Sequence, residues 1–161
     1  MNDYRINNEG LEIIKEREGL TLKPKRRLEG GGYFIGFGHN ILLGEEYLMQ
    51  GITESAALDI LRNDCKDAEN KVRKAVKVEL NENQFSALVS LAFNIRNFEN
   101  LGLIKNINDG IRVTDPEWRQ AYWEQYSKAR DPKTLLLKVL NGLLFRRRKE
   151  YKLFTKPVIT K

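Results

Sequence analysis

Between Glu18 and His39 the chain changes character twice within a few turns' length. Glu18-Gly-Leu-Thr-Leu-Lys carries an acid and then a glycine, the pattern of a helix that stops. A basic, glycine-rich stretch follows, and Tyr33-Phe-Ile-Gly-Phe-Gly-His39 then reads as a short strand closed by Gly-x-Gly-His. A helix feeding such a hairpin excludes an all-helical start. Residues 8–17 read as the first helix, with Asn8 as N-cap and Leu11 and Ile14 on one face. Residues 20–38 read as a small antiparallel sheet whose turn is Gly30-Gly31-Gly32.

The period changes after Thr53. Ala57, Ile60, Leu61, Asp64, Ala68, Val72 and Val76 recur at helical spacing, which predicts a helix of about 22 residues and roughly 33 Å. The second half reads as helical. Asn81 and Gln84 form a capping-box pattern ahead of Phe85, Leu88, Val89, Ala92 and Phe93. Asp115-Pro116 and Asp131-Pro132 each set a capping acid before a proline, predicting helices over Trp118–Tyr122 and Leu135–Leu144. The expected fold class is α+β and predominantly helical. A single 1–161 domain would hold a mixed lobe (1–52), a connecting helix (53–78) and a helical lobe (79–161), with a ligand cleft between lobes.

A chain of 161 residues with 41% hydrophobic and 31% charged composition can bury a core without metals or disulfides. No apolar run reaches the roughly 20 residues needed to span a bilayer. The first residues lack a signal peptide's apolar core, so the chain is expected to be made in the cytoplasm or to be a mature fragment or excised domain. The single cysteine, Cys65, excludes an internal disulfide and reads as core filler. One histidine and one cysteine make no credible metal site, and no cofactor is implied. The net charge of +6, clustered at Lys23–Arg27 and Arg146–Lys149, suits a polyanionic partner such as nucleic acid, teichoic acid or cell wall, or a merely solvated basic surface. No nucleic-acid-binding motif focuses it. Gly30–Gly32 lacks the ending of a phosphate-binding loop.

Three segments, in order, resemble the phage-type lysozymes, or endolysins. They are Glu18-Gly-Leu-x-Leu with Ile35-Gly-x-Gly-His39; Leu80-Asn-x-Asn-Gln-Phe-x-Ala-Leu-Val89 with Ala92-Phe-Asn-Ile95; and Gly142-Leu-x-x-Arg-Arg-Arg-x-Glu150 with Leu153-Phe154. The resemblance covers nearly the whole chain. It implies that Glu18 is a general acid for glycosidic cleavage. It also implies an aspartate or cysteine after eight intervening residues, and a threonine just before Ile35.

Neither of the latter two is present. The threonine position holds Phe34, which has no side-chain hydrogen bond to offer. The aspartate position holds Arg27 counted from Glu18, or Leu28 counted from Phe34, because the loop is one residue longer. Glu29 is the only acid in the loop and a candidate replacement. Pro24-Lys25 also departs from the small-residue–tyrosine pair common there, and Arg96 stands where the family often has glycine. The resemblance further implies a structural pairing of His39 with Asp64, which would raise the histidine pKa, and a substrate-facing Asn94. Trp118, Tyr122, Trp123 and Tyr126 read as lobe core.

The leading expectation is a monomeric enzyme hydrolysing the β-1,4 bond between N-acetylmuramic acid and N-acetylglucosamine in peptidoglycan, acting on the wall after release, with reduced activity. The alternative is a pseudoenzyme of the same fold that binds glycan or protein, with Phe34 as a binding residue that enlarges an apolar patch on the cleft floor. A basic nucleic-acid-binding domain is the third reading.

Overall fold

The computed structural model describes residues 2–110, 118 and 122–159, and separates into two compact units: Ile14–Lys66, and Met1–Ile13 with Asp67–Lys161. The chain is mostly helical with a small antiparallel sheet. The first helix, α1, spans Asn8–Glu18. Its cap is Asn7 rather than the expected Asn8, because the Asn7 Oδ1 accepts the Gly10 N–H at 3.0 Å.

Within Ile14–Lys66, strands β1 (Thr21–Arg26), β2 (Tyr33–Gly36) and β3 (His39–Asn40) pair antiparallel in that order. The register sets Lys25 opposite Phe34, Phe34 opposite Asn40, and Ile35 opposite His39. Pro24 cannot donate to a ladder, and β1 is an edge strand whose register slips between Thr21 and Lys25. Gly30, Gly31 and Gly32 all take positive φ, which lets the extra residue be absorbed at the turn. Helix α2 (Glu54–Asp64) starts at Thr53, whose hydroxyl accepts the Ala56 N–H at 3.1 Å. Ile14, Ile35, Phe37, Ala57 and Leu61 are buried, and a Cβ on Gly36 would stand 3.5 Å from that of Ala57.

The helical run from Thr53 is broken in one place. Cys65, buried, stands at φ −72° and ψ −14° between α2 and α3 (Lys66–Ala75), and its N–H still bonds the Leu61 carbonyl. In the other unit Glu69, on α3, is 1% exposed and accepts the Ile6 N–H at 2.8 Å and the Arg5 Nε at 3.2 Å. Helix α4 (Glu82–Asn94) opens with both hydrogen bonds of the capping box and is buried at Asn83 and from Phe85 to Ala92, the signature of a central helix. Helix α5 spans Gly102–Asn108 and helix α6 spans Asn141–Thr155. Trp118 and Trp123 are buried against Tyr151 and Phe154. The Asp115-Pro116 helix start lies outside the described residues.

Two further expectations need correction. Asp131-Pro132 does not begin a helix. The Asp131 carboxylate accepts the N–H groups of Lys133 and Thr134, an Asx-type turn, and the chain returns as a hairpin of β4 (Lys128–Arg130) and β5 (Leu137–Val139). The same short side chain that can cap a helix can close a turn, and here the pairing of Arg130 with Leu137 decides. The Arg146–Lys149 cluster is also not a wholly solvated patch. Arg146 and Arg147 are 3% and 0% exposed, and both donate to the buried Glu150 carboxylate, Arg146 through Nε at 3.0 Å.

Candidate active site

Glu18 is the last residue of α1, and Gly19 turns away at φ +70°. Its carboxylate is exposed to solvent on one side and lies against Gly38 on the other. A Cβ added to Gly38 would stand 2.6 Å from Glu18 Oε2, and Gly38 has φ +80°. The second glycine of Gly-x-Gly-His is therefore favoured by its backbone conformation, and its missing Cβ leaves the place where the Glu18 carboxylate sits.

Arg27 also reaches Gly38, at its carbonyl. Its Nη2 donates to the Gly38 carbonyl at 3.3 Å and its Nε donates to Asn40 Oδ1 at 2.5 Å. The guanidinium carbon is 4.7 Å from the centroid of the Phe34 ring, a cation–π stack. Phe34, at the threonine position, and Arg27, one of the two residues counted to the aspartate position, thus touch each other. Leu28, the other residue counted to the aspartate position, is fully exposed in the bend after β1. Glu29 is also exposed in that bend. A carboxylate and a guanidinium thus both reach Gly38, and the guanidinium rests on the Phe34 ring, giving one group able to donate a proton and one able to hold an anion.

His39, its side chain 12% exposed, is held from both ends. Its Nδ1 is 2.9 Å from Asp64 Oδ2 and its Nε2 is 3.0 Å from Glu45 Oε1. Burial opposes charging the ring, but the hydrogen bonds and charges of Glu45 and Asp64 outweigh it, so the pKa is raised above 6.5. The Glu45 carboxylate also accepts the Leu42 N–H at 2.9 Å, and that bond, followed by the one from His39, lowers its pKa. With both ring nitrogens engaged, His39 ties β3 to α2 and to the loop before the 3₁₀ turn Glu46–Gln50. Glu45 was not singled out in the sequence, although an acid six residues after the histidine across Gly44 was the available signal.

Asn94 ends α4 in the other unit, where its Oδ1 accepts a hydrogen bond from Arg147 Nη2. Arg147 also donates from Nε to the Tyr126 carbonyl at 3.1 Å. Asn94 borders a groove lined by Gln125, Tyr126, Lys128, Leu137 and Leu143. One face of its amide is thus committed to the fold. Among the described residues, no group of three or more potential ligands could hold a metal ion.

The sequence pattern described as phage lysozyme matches residues 15–150. The endolysin of Bacillus phage PZA is 33% identical over 154 residues, covering 93% of this chain and 55% of that protein. The endolysin of Acyrthosiphon pisum secondary endosymbiont phage 1 is 34% identical over 158 residues, covering 92% of this chain and 97% of that one. The chain thus spans about half the length of the Bacillus phage endolysin and nearly all of the other. Among solved structures, the muramidase domain of SpmX from Asticaccaulis excentricus superposes with a TM-score of 0.79 at 33% identity, covering 96% of this chain and 99% of that domain. The endolysin from Escherichia coli O157:H7 phage FAHEc1 superposes with a TM-score of 0.75 at 28% identity, covering 99% and 98%.

Proposed function

The chain belongs to the phage lysozyme family, and on that premise we propose that it is a peptidoglycan-directed glycoside hydrolase of reduced activity. Its bond would be the β-1,4 link between N-acetylmuramic acid and N-acetylglucosamine, reached at the cell wall and cleaved by a monomer. The observation that carries this reading is the seating of the Glu18 carboxylate on Gly38 of the Gly-x-Gly-His hairpin. Protonated Glu18 gives its proton to the bridging oxygen as the bond to the sugar C1 breaks, and water adds at C1. The developing positive charge on the ring is not helped by Arg27, a cation beside the same glycine. That is the physical reason for a slow reaction. Glu29, the acid of the loop, is the residue available to take the water's proton, and Asn94 is the residue available to hold a sugar amide.

Glu18→Gln keeps the shape and removes the acid. Clearing of purified peptidoglycan should fall by at least about 10²-fold in that variant. Equal clearing by wild type and Glu18→Gln would overturn the assignment. Glu29→Ala should lower the rate as well if Glu29 receives the water's proton, and leave it unchanged if bulk solvent does.

A second reading is favoured by the Arg27–Phe34 stack. A cation on an aromatic face is a binding surface rather than a water-activating one, and a glycan- or protein-binding pseudoenzyme would use it as such. Retention on peptidoglycan without release of reducing ends from any variant selects that reading.

A further inference from the structure

We propose that the hairpin Lys128–Leu140 is a membrane-surface contact, a leucine tip in a basic collar that docks on an anionic lipid bilayer. Three consecutive leucines, Leu135, Leu136 and Leu137, are 62%, 69% and 64% exposed, and Val139, Leu140 and Phe145 continue the exposed apolar surface. Single exposed leucines are ordinary, but a run of three leading from the hairpin turn into β5 marks a contact surface.

The backbone of the tip is built to present them. Leu135 has φ +60°, a left-handed conformation that glycine takes freely and leucine does not. It is held there by three bonds. Arg130 Nη1 donates to the Leu135 carbonyl at 2.6 Å, the Leu135 N–H donates to the Asp131 carbonyl at 2.9 Å, and the Asp131 N–H donates to the Leu136 carbonyl at 2.9 Å. The fold thus keeps a strained apolar residue where glycine would be relaxed, and such strain is a pointer to function.

The charge around the tip names the partner. Lys128, Arg130, Lys133 and Lys138 are basic, and Asp131 is the only acid from 128 to 140. The Asp131 carboxylate is turned onto the backbone of Lys133 and Thr134. Two copies of this surface would bring like charges together, which opposes self-association. An anionic bilayer answers both parts. Leucines enter the headgroup–acyl boundary while lysine stems lie along it with their ammonium groups at the phosphates. The contact is peripheral, since no helix among the described residues is long and apolar enough to cross a membrane. This inference is independent of whether the chain hydrolyses glycan.

The test is cosedimentation of the full chain with vesicles of phosphatidylcholine alone and of phosphatidylcholine mixed with phosphatidylglycerol. Binding is expected to the anionic vesicles only. Lys133→Gln and Lys138→Gln should each weaken it about fivefold. Leu136→Ser with Leu137→Ser should weaken it by at least about tenfold. Leu135→Gly should keep the wild-type melting temperature or raise it while binding more weakly. Leu136→Trp, made in the otherwise unchanged chain, should shift its emission to the blue with anionic vesicles and not with neutral ones, which supports the proposal without relying on a loss of function. No binding to anionic vesicles, equal binding to neutral ones, or undiminished binding by the leucine variants overturns it. So does a dimer in solution that the leucine variants dissociate while vesicle binding is absent.

Discussion

Arg27 and Phe34 are intelligible only as a pair. A guanidinium over a ring gains about 0.5–1 kcal/mol at an exposed site, and Asn40 and the Gly38 carbonyl fix its orientation. Replacing one partner alone spoils the other. An aspartate at 27 would lie on the negative face of the Phe34 ring, and a threonine at 34 would leave Arg27 without its platform. The site should therefore be restored only by changing both. Arg27→Asp with Phe34→Thr should raise peptidoglycan clearing by about 10²-fold, whereas each single substitution changes it little. Leu28→Asp, on a fully exposed side chain, should do nothing. The comparison is made on turbidity rates normalised to folded protein, because losing a half-buried phenyl costs up to about 3 kcal/mol. A single substitution that matches the double would show that the two positions are not coupled. The altered identity at 34 is legible in the sequence from its place before Ile35, and spacing narrows the aspartate position to Arg27 or Leu28. Their contact is not, because it depends on a register across β1 and β2 that the longer loop leaves open.

At the scale of elements, legibility follows how local the determining interactions are. The α1 end, the triple-glycine turn and the start of α4 are written in neighbouring residues. Gly19, Gly30–Gly32 and the Asn81–Gln84 box do structurally what their types suggest. The β4–β5 hairpin is not legible, since Asp131-Pro132 serves a turn as readily as a helix and the choice is made by strand pairing. Arg146 and Arg147 look like surface charge until α6 is set against α4, where Ser90 Oγ donates to Glu150 at 2.7 Å and Arg146 to the Ser90 carbonyl at 2.8 Å. The three-way tie of His39 gives an element-level prediction. The histidine pKa is raised on folding, so its share of stability is full below pH 6.5 and fades as pH rises through the folded value. The Glu45 pKa is lowered, so its share is full above pH 4.5 and fades as pH falls through the folded value. The network contributes most between those limits. His39→Gln should therefore cost most in that window, on the order of 1 kcal/mol, and progressively less toward pH 9. Thermal melting of both proteins across pH 4–9 measures it, and a difference constant with pH would show that the charged form of His39 adds nothing.

The whole molecule carries a net charge of +6 in a family whose named relatives are endolysins. Part of that charge is spent inside, since Arg146 and Arg147 are buried on Glu150. What remains at the surface includes the exposed Lys25, Arg26 and Arg27 by the first hairpin and the collar of the second. The two hairpins belong to different compact units. Charge acts at a distance, and the leucine tip only on contact. The two should therefore separate with salt. Raising ionic strength from 0.01 to 0.15 M shortens the screening length from about 30 to about 8 Å. Binding to sacculi that retain their anionic polymers should then weaken by at least about tenfold, with the loss mainly in the association rate. Neutral chitin oligomers, which offer sugar without charge, should bind with little salt dependence. Lys25→Gln with Arg26→Gln, which leave Glu18 and Arg27 in place, should reduce the salt dependence on sacculi and leave the chitin affinity unchanged. If binding to both ligands responds equally to salt, the positive surface is not what draws this chain to sacculi, and the attraction must be sought in contacts around Glu18.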